Sequence, residues 1–270
     1  MRFVSRCFAL LSLFIGLPLM AQDLTILSKV TKDGGTPQSS ISYISADHIR
    51  MSQGDGKETI IDFKSGQMTT LDPAKKTYYV ITRADFDAMA AKMKEQMNSP
   101  EMKKAQEAMK NLPPEQQKRM EAMMGSMLTF DVQDLGTTRK IAGYSCENWT
   151  ITMGQFSKSD ECLTSELQFP ARAWEMYRGY ADSMKTMMAS MGPMAKNMEK
   201  MQEQFKKMKG YPLANTTTVN VMGHRSLVAS EVTEVKRGPI PATVWEVPAG
   251  YTKVDNPMQK AFQGRSNGRD

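Results

Sequence analysis

The sequence predicts an α+β protein in which an antiparallel β-sheet is interrupted by two helical insertions rich in methionine. Three observations predict this class. Apolar residues alternate at period two between Leu24 and Thr82, and the apolar spacing changes to the helical period in residues 84–128 and again in 173–210. The two insertions also carry 18 of the 25 methionines. Because strand-like alternation returns after each insertion, we expect both to interrupt one sheet.

Residues 1–21 have the pattern of a secretory signal peptide. Arg2 and Arg6 form a basic start, and the apolar run that follows is interrupted by Gly and Pro and falls short of the roughly 20 residues that span a bilayer. We expect cleavage after Ala21, a small residue, and a periplasmic or secreted protein. No cysteine directly follows the apolar run, so we expect no lipidation and no stable membrane anchor.

Composition bounds the rest of the chain. With 24% charged and 40% hydrophobic residues among 270, it resembles neither a disordered chain nor a polytopic membrane protein. The net charge is +6, and removal of the two leader arginines leaves +4, spread over both signs, so no nucleic-acid partner is expected. We predict a single β-rich domain over residues 22–254 and a flexible tail at 255–270.

The first strand-rich stretch, residues 24–82, predicts a meander of short antiparallel strands. Each break between strands offers glycine or proline turn chemistry. The predicted breaks are Asp33-Gly34-Gly35, Gly54-Asp55-Gly56, Lys64-Ser65-Gly66 and Asp72-Pro73.

Helical spacing begins at Ala84, and further helices are predicted from Ser99-Pro100 and from Pro113-Pro114-Glu115. In the second insertion, Gly192-Pro193 divides the helical pattern in two. Strands are predicted to return at 128–132, at 140–144, around Trp149 and Leu163, and at 216–222, 227–235 and 243–247.

Two cysteines, Cys146 and Cys162, remain after the leader, and an even number in an oxidising compartment predicts one disulfide. Alternation places both on the polar face of two strands that would pair as a hairpin. Directly opposed cysteines would centre the turn on Gly154, whereas the polar run 155–160 is the natural loop, so a slipped pairing or a bulge is needed. A thiol metal pair or a redox couple is the alternative.

Several short segments carry a family resemblance. They are Tyr78-Tyr79, Leu112-Pro113-Pro114-Glu115 to Glu121-Ala122-Met123-Met124, Ile141 to Cys146 followed by Trp149, Gly210-Tyr211-Pro212-Leu213, and Val247-Pro248-Ala249-Gly250-Tyr251. Over most of residues 40–252 the chain resembles a family of secreted bacterial proteins known only as a domain of unknown function, similar to the LolA/LolB type of periplasmic lipoprotein carrier. The resemblance implies a strongly curved antiparallel sheet, an incomplete barrel, with the helical insertions packed on its concave side. Without a lipid anchor, any carrier role would be soluble and LolA-like.

The sequence contains few candidate catalytic residues. His48 and His224 are the only histidines, and both lie in patterns typical of exposed positions. The chain has no phosphate-binding loop, nucleophile elbow or zinc-protease motif. We therefore expect no enzyme, no cofactor and no metal site.

The methionine stripes allow four interpretations. Thioether side chains can simply fill the contact between helix and sheet, or they can re-pack around an apolar ligand such as a lipid or a lipoprotein. Pairs at i, i+3 could instead bind Cu(I), although no histidine interleaves them. A fourth, weaker possibility places the insertions on a membrane surface.

We expect an exported soluble carrier of an apolar ligand, with the Cu(I)-binding protein and the purely structural domain as alternatives. The predicted ligand-lining residues form the apolar helix faces that would meet the sheet. They are Met89, Met93, Met97, Met184, Met188, Met201 and Phe205.

Overall fold

The structure is a computed structural model. It describes residues 23–52, 56–116, 119, 129–167, 170–173, 175–176, 203–204, 206–208, 210–221 and 224–257. The proposed signal peptide, most of the second insertion, the end of the first and the C-terminal tail lie outside these ranges.

The described strands form one open sheet of twelve. The strands are β1 (Leu24–Lys32), β2 (Gln38–Ile44), β3 (His48–Ser52), β4 (Glu58–Asp62), β5 (Gln67–Asp72), β6 (Thr77–Ile81), β7 (Phe130–Ile141), β8 (Tyr144–Met153), β9 (Ser157–Thr164), β10 (Tyr211–Val221), β11 (His224–Arg237) and β12 (Thr252–Lys253). Their order is β12-β6-β5-β4-β3-β2-β1-β11-β10-β9-β8-β7. All neighbours pair antiparallel except β12, which runs parallel to β6, so the predicted antiparallel sheet is confirmed.

The N-terminal half is the predicted meander from β1 to β6. Residues 33–34 and 63–66 form turns between strands, and Gly34 and Gly66 have φ of 72° and 68°, which glycine adopts without a steric penalty. Asp72-Pro73 begins the turn before β6. The remaining predicted break, around Gly54, lies partly outside the described residues.

Two helices follow β6, α1 (Arg83–Met97) and α2 (Pro100–Lys110). Helix α1 begins where the sequence predicts because Thr82 and Asp85 form a capping box: each side chain accepts from the backbone N–H of the other. The two helices pack against each other. Residues 114–116 are helical, as the third predicted helix requires, and the rest of that segment is outside the described ranges, apart from residue 119.

The two strands predicted at 128–132 and 140–144 are parts of one longer strand and its turn. Strand β7 runs from Phe130 to Ile141, with an irregularity between Asp134 and Thr138 that lets the pairing with β8 continue. Ala142 and Gly143, both with positive φ, then form the tight turn into β8. The glycine-containing stretch that divides the apolar pattern is therefore a bulge rather than a chain reversal.

The sheet curves strongly toward its β7 edge. Three strands separate β7 from β11 in the sheet order, and in a flat sheet they would lie about 19 Å apart. Arg139 Nη1 of β7 nevertheless lies 3.6 Å from Glu231 Oε2 of β11. This contact requires β7 to turn back toward the middle of the sheet.

The predicted strand at 243–247 is instead a 3-10 helix, Ala242–Trp245. Pro241 precedes it, and the Arg50 guanidinium donates to the Val244 carbonyl at 2.7 Å. The alternating apolar residues that predicted a strand here reflect packing against the sheet: Trp245 stacks on His48, with ring centroids 5.2 Å apart. His48 is therefore half-buried, and its predicted exposure is wrong, whereas His224 is exposed.

The buried cluster of the protein joins the two halves of the sheet. It contains Leu24 and Ile26 of β1, which are fully or almost fully buried, together with apolar residues of the flanking strands. The other members are Ile44, Ile49, Phe63, Ile141, Cys146, Cys162, Leu167, Leu213, Ala214 and Val232. The central pair of strands, β1 and β11, thus lies against the core.

Cys146 and Cys162 form a disulfide with a Cα–Cα distance of 5.3 Å. The slipped pairing is observed: Cys162 lies opposite Asn148, so the bond joins a diagonal pair and the hairpin loop is residues 154–156. The predicted polar surroundings are wrong, because both cysteines belong to the core. Thr150, on the same face of β8 as Cys146, is also buried, and its hydroxyl is satisfied by Asp160 at 2.6 Å.

Candidate functional site

A set of half-buried apolar side chains surrounds the core cluster. We call this set the apolar rim; its members are Met51, Ile61, Ala142, Tyr144, Ala173, Met176, Tyr211 and Val235. Each packs on the core on one side and is partly accessible on the other. Such a surface offers apolar contact area without being closed, which is the general chemistry of a site for an apolar ligand.

The strands place part of the rim on one face of the sheet. Val235 lies opposite Ile26, Ile26 opposite Ser42, and Ser42 opposite Met51. Directly opposed residues of antiparallel strands point to the same face. The face that carries Met51 and Val235 is therefore the face that buries Ile26.

The start of the second insertion contacts this core. After β9 the chain passes through Leu167, which is 1% exposed, and residues 171–173 and 175–176 are helical. Ala173 and Met176 pack on the core cluster. The Arg172 guanidinium forms an ion pair with Asp47, in the turn between β2 and β3.

This ion pair shows that the chain crosses the sheet between β9 and the second insertion. In the sheet order β9 and β3 are separated by β10, β11, β1 and β2, yet Arg172 follows β9 by eight residues and reaches the turn before β3. By Arg172 the chain has therefore passed from the C-terminal half of the sheet to the N-terminal half.

Asp47 is held by two cations at the surface. Lys64 Nζ lies 3.0 Å from Asp47 Oδ2, and Arg172 contacts the other carboxylate oxygen. The Lys64 interaction lowers the pKa of Asp47, and the positive charges of Arg172 and His48 act in the same direction, against desolvation. Ion pairs this exposed contribute little stability, so the contact positions the segment without locking it.

Tyr211, at the start of β10, is one of two tyrosines in the rim. Burial raises the pKa of its phenol to about 12, so the ring is neutral at physiological pH. Gly210, immediately before it, has φ of 110°, and a Cβ there would lie 2.1 Å from the Thr164 carbonyl oxygen. The chain can return from the second insertion to the sheet at this point because residue 210 has no side chain.

The structure tests little of the predicted ligand-lining set. Met184, Met188, Met201 and Phe205 lie outside the described residues, as do the side chains of Met93 and Met97. Met89 is described: it is half-buried on α1 and is not part of the apolar rim.

Two rim methionines were missed by the sequence analysis. Met51 follows Ile49 by two residues on β3, so the two side chains point to the same face. The period-two pattern of the sequence could therefore have identified Met51 as a site residue. Met176 lies between Trp174 and Tyr177, off the predicted stripe of the second insertion, and no local signal marks it.

Within the described ranges, no helix combines the length and the apolarity needed to cross a bilayer. The same ranges contain no group of three or more His, Cys, Asp or Glu side chains placed to hold a metal ion.

Solved structures with a similar arrangement share little sequence with this chain. PNGF-II is 11% identical with a TM-score of 0.40, over 91% of this chain and 34% of its own; MucB is 10% identical with a TM-score of 0.35, over 86% of this chain and 58% of its own. A LolA superfamily protein from Nitrosomonas europaea is 7% identical with a TM-score of 0.23, over 85% of this chain and 91% of its own. This chain thus spans about a third of PNGF-II and somewhat more than half of MucB.

Among curated proteins, none matches this chain in sequence. A family model does match, over residues 88–251, which include most of the first insertion, the whole of the second and the strands from β7 to β11. That span covers more than half of the chain and confirms the predicted resemblance to a domain of unknown function. The chain belongs to the DUF4412 family, a domain of unknown function.

Proposed function

We propose that this protein is an exported carrier that binds an apolar ligand, a lipid or the lipid part of a lipoprotein, in the cell envelope. It acts by binding and not by catalysis. The observation that carries the proposal is the packing of Ala173 and Met176 on the core, at the start of the second insertion and directly after the chain has crossed the sheet.

This geometry suits a cover, formed by the start of the second insertion, that can move away from the apolar rim. Met176 adds a flexible, polarisable side chain to a rim that already includes Met51, and such side chains adapt to ligands of different shape. The surface ion pair between Arg172 and Asp47 guides the segment into place, and its exposure keeps the cost of opening small. A ligand could therefore enter by displacing the start of the second insertion from the rim.

The leader and the disulfide support an exported location. Residues 1–21 have signal-peptide features, and Cys146 and Cys162 form a bond that persists in oxidising compartments. The remaining predicted lining residues are part of the same proposal. The methionine-rich remainder of the second insertion, and Met93 and Met97 of α1, would extend the apolar surface begun by Met176.

A lipid-uptake assay tests the proposal. The chain without residues 1–21, with its disulfide formed, is mixed with a fluorescent fatty acid, and a parallel sample purified from cells is analysed by native mass spectrometry and organic extraction. We expect saturable uptake and an extractable lipid. A clean apo mass together with no uptake would refute the carrier function.

Variants localise the site. Met176→Ala should weaken uptake about tenfold, because a rim contact is lost, whereas Met102→Ala, at a 39% exposed position of α2, should leave it unchanged. Arg172→Ala should speed ligand release, and Lys158→Ala, which removes another surface ion pair, should not. Equal effects of the paired variants would count against the proposed cover.

A further inference from the structure

Four polar side chains of β9 and β10 form a hydrogen-bonded group on one face of the sheet. We call it the polar cluster: Ser159, Glu161, Asn215 and Thr217. The register places Asn215 opposite Glu161 and Thr217 opposite Ser159, so all four share a face. The Ser159 and Thr217 hydroxyls lie 2.8 Å apart, and Thr217 Oγ1 donates to Asn215 Oδ1 at 3.0 Å.

Glu161 is the charged member, and only one of its carboxylate oxygens is used. Ser159 Oγ donates to Oε1 at 2.7 Å, and Asn215 Nδ2 donates to the same oxygen. Within the described part of the chain, Oε2 has no hydrogen-bond partner, and no Lys, Arg or His forms an ion pair with Glu161. A half-buried carboxylate thus presents a free acceptor oxygen with no counter-charge.

The electrostatics of Glu161 favour a cation as its partner. Burial raises the pKa of the carboxyl group, the negative charge of Asp160 adds to this, and the two donors from Ser159 and Asn215 act in the opposite direction. A positive charge at Oε2 would stabilise the ionised form, which desolvation now penalises.

An aromatic ring lies beside the carboxylate. Trp149 of β8 is directly opposite Glu161 in the register, and Ile151 is opposite Ser159. Both are half-buried. Since an ammonium group is attracted by an indole face as well as by a carboxylate, Glu161 and Trp149 together suit an organic cation better than a metal ion, which would need further oxygen ligands.

The polar cluster lies on the same face of the sheet as Ile26, whereas the neighbouring core residues Cys162 and Ala214 point to the other face. Asn215 lies opposite Ser230 of β11, and Ser230 lies opposite Val30 of β1. Val30 and Ile26 are four residues apart on one strand, so they share a face and are about 13 Å apart. The face is therefore polar at one end, around Glu161, and apolar at the other, where the rim begins.

We propose that the polar cluster binds the ammonium head group of an amphiphile whose apolar chain lies toward the apolar rim. Glu161 Oε2 accepts from or pairs with the cation, and Trp149 contacts it through the indole face. Asn215 and Ser159 hold the carboxylate in position through Oε1. This inference rests on the proposed carrier function, and it adds the charge class of the ligand.

Calorimetric titration of the disulfide-bonded chain without residues 1–21 tests the inference with four probes. Dodecyltrimethylammonium, dodecyl sulfate and dodecyl maltoside, each kept below micelle formation, share a chain and differ in head group, and butyltrimethylammonium keeps the head with a short chain. The chain is net positive, so non-specific attraction would favour the sulfate over the cation.

We expect dodecyltrimethylammonium to bind at least tenfold more tightly than each of the other three probes. Glu161→Gln should remove that preference and leave dodecyl maltoside binding unchanged, because glutamine still accepts from Ser159 and Asn215 but carries no charge. Glu107→Gln is the matched control: the same chemical change and the same change in net charge, at an exposed position of α2, should have no effect.

The outcomes separate this inference from the carrier function. Equal binding of the three dodecyl probes, unaffected by Glu161→Gln, would overturn the head-group site and leave the carrier function standing. Equal affinity for the short and the long cation would show a site for small organic cations, and would overturn the proposal that the ligand is an amphiphile. If no dodecyl probe binds, both proposals fail.

Discussion

Breaking the disulfide should destabilise the protein by an amount that the sequence separation sets. Cys146 and Cys162 are 16 residues apart, and a cross-link that closes a loop of this length stabilises a fold by about 3 kcal/mol in the chain-entropy treatment. The measurement is equilibrium urea unfolding of the oxidised chain, of the same chain with reductant, and of the Cys146→Ala/Cys162→Ala variant. We expect both disulfide-free forms to lose about 3 kcal/mol of unfolding free energy.

Burial adds a kinetic expectation. Both cysteines are almost fully buried, so reductant should act on the native protein only through opening of the fold, and the rate should rise steeply with urea. Ser145→Ala with Ser165→Ala, at exposed positions within β8 and directly after β9, controls for the substitutions and should change stability by less than about 0.5 kcal/mol. An unchanged urea midpoint after reduction would refute the reasoning.

Two further predictions concern the backbone and the acid stability. Gly210→Ala should cost more than about 3 kcal/mol, because the new Cβ would lie 2.1 Å from the Thr164 carbonyl oxygen at φ of 110°, whereas Gly34→Ala, with open space around it, should cost about 1 kcal/mol; equal melting temperatures would contradict this. The Leu227 N–H bond to Asp33 lowers the pKa of that carboxyl group, so its contribution to stability is present above the unfolded pKa of about 3.9 and is lost as the pH falls through the folded value. The melting temperatures of Asp33→Ala and wild type should therefore differ most near neutral pH and converge in acid, and a difference independent of pH would argue against the carboxylate as its source.

The features that the sequence predicts correctly depend on local interactions. The start of α1 is set by Thr82 and Asp85, three residues apart, and the turns of the meander by glycines at positive φ. The slipped register of the disulfide hairpin also agrees with the sequence analysis, since directly opposed cysteines would centre the loop on Gly154, whereas the observed loop, residues 154–156, is centred on residue 155.

The errors arise where distant parts of the chain meet. Trp245 and its neighbours have the alternating pattern of a strand, but Trp245 is placed by stacking on His48. His48 is distant in the sequence, so no local pattern predicts this contact. The cysteines alternate with the apolar residues of their strands, yet they are buried because both faces of this part of the sheet are partly covered. Met176 enters the candidate site through a crossing of the sheet, and its helical spacing alone does not indicate that contact.

The pairing of β1 with β11 affects how the protein folds. Leu24 pairs with Arg237, so the middle of the sheet closes only when residues from nearly opposite ends of the chain meet. Contacts of such long range form slowly, because most of the loop-closure entropy is lost before they form. Until β1 pairs with β11, the apolar side of each of these two strands stays exposed to solvent. Aggregation would compete with folding during this stage.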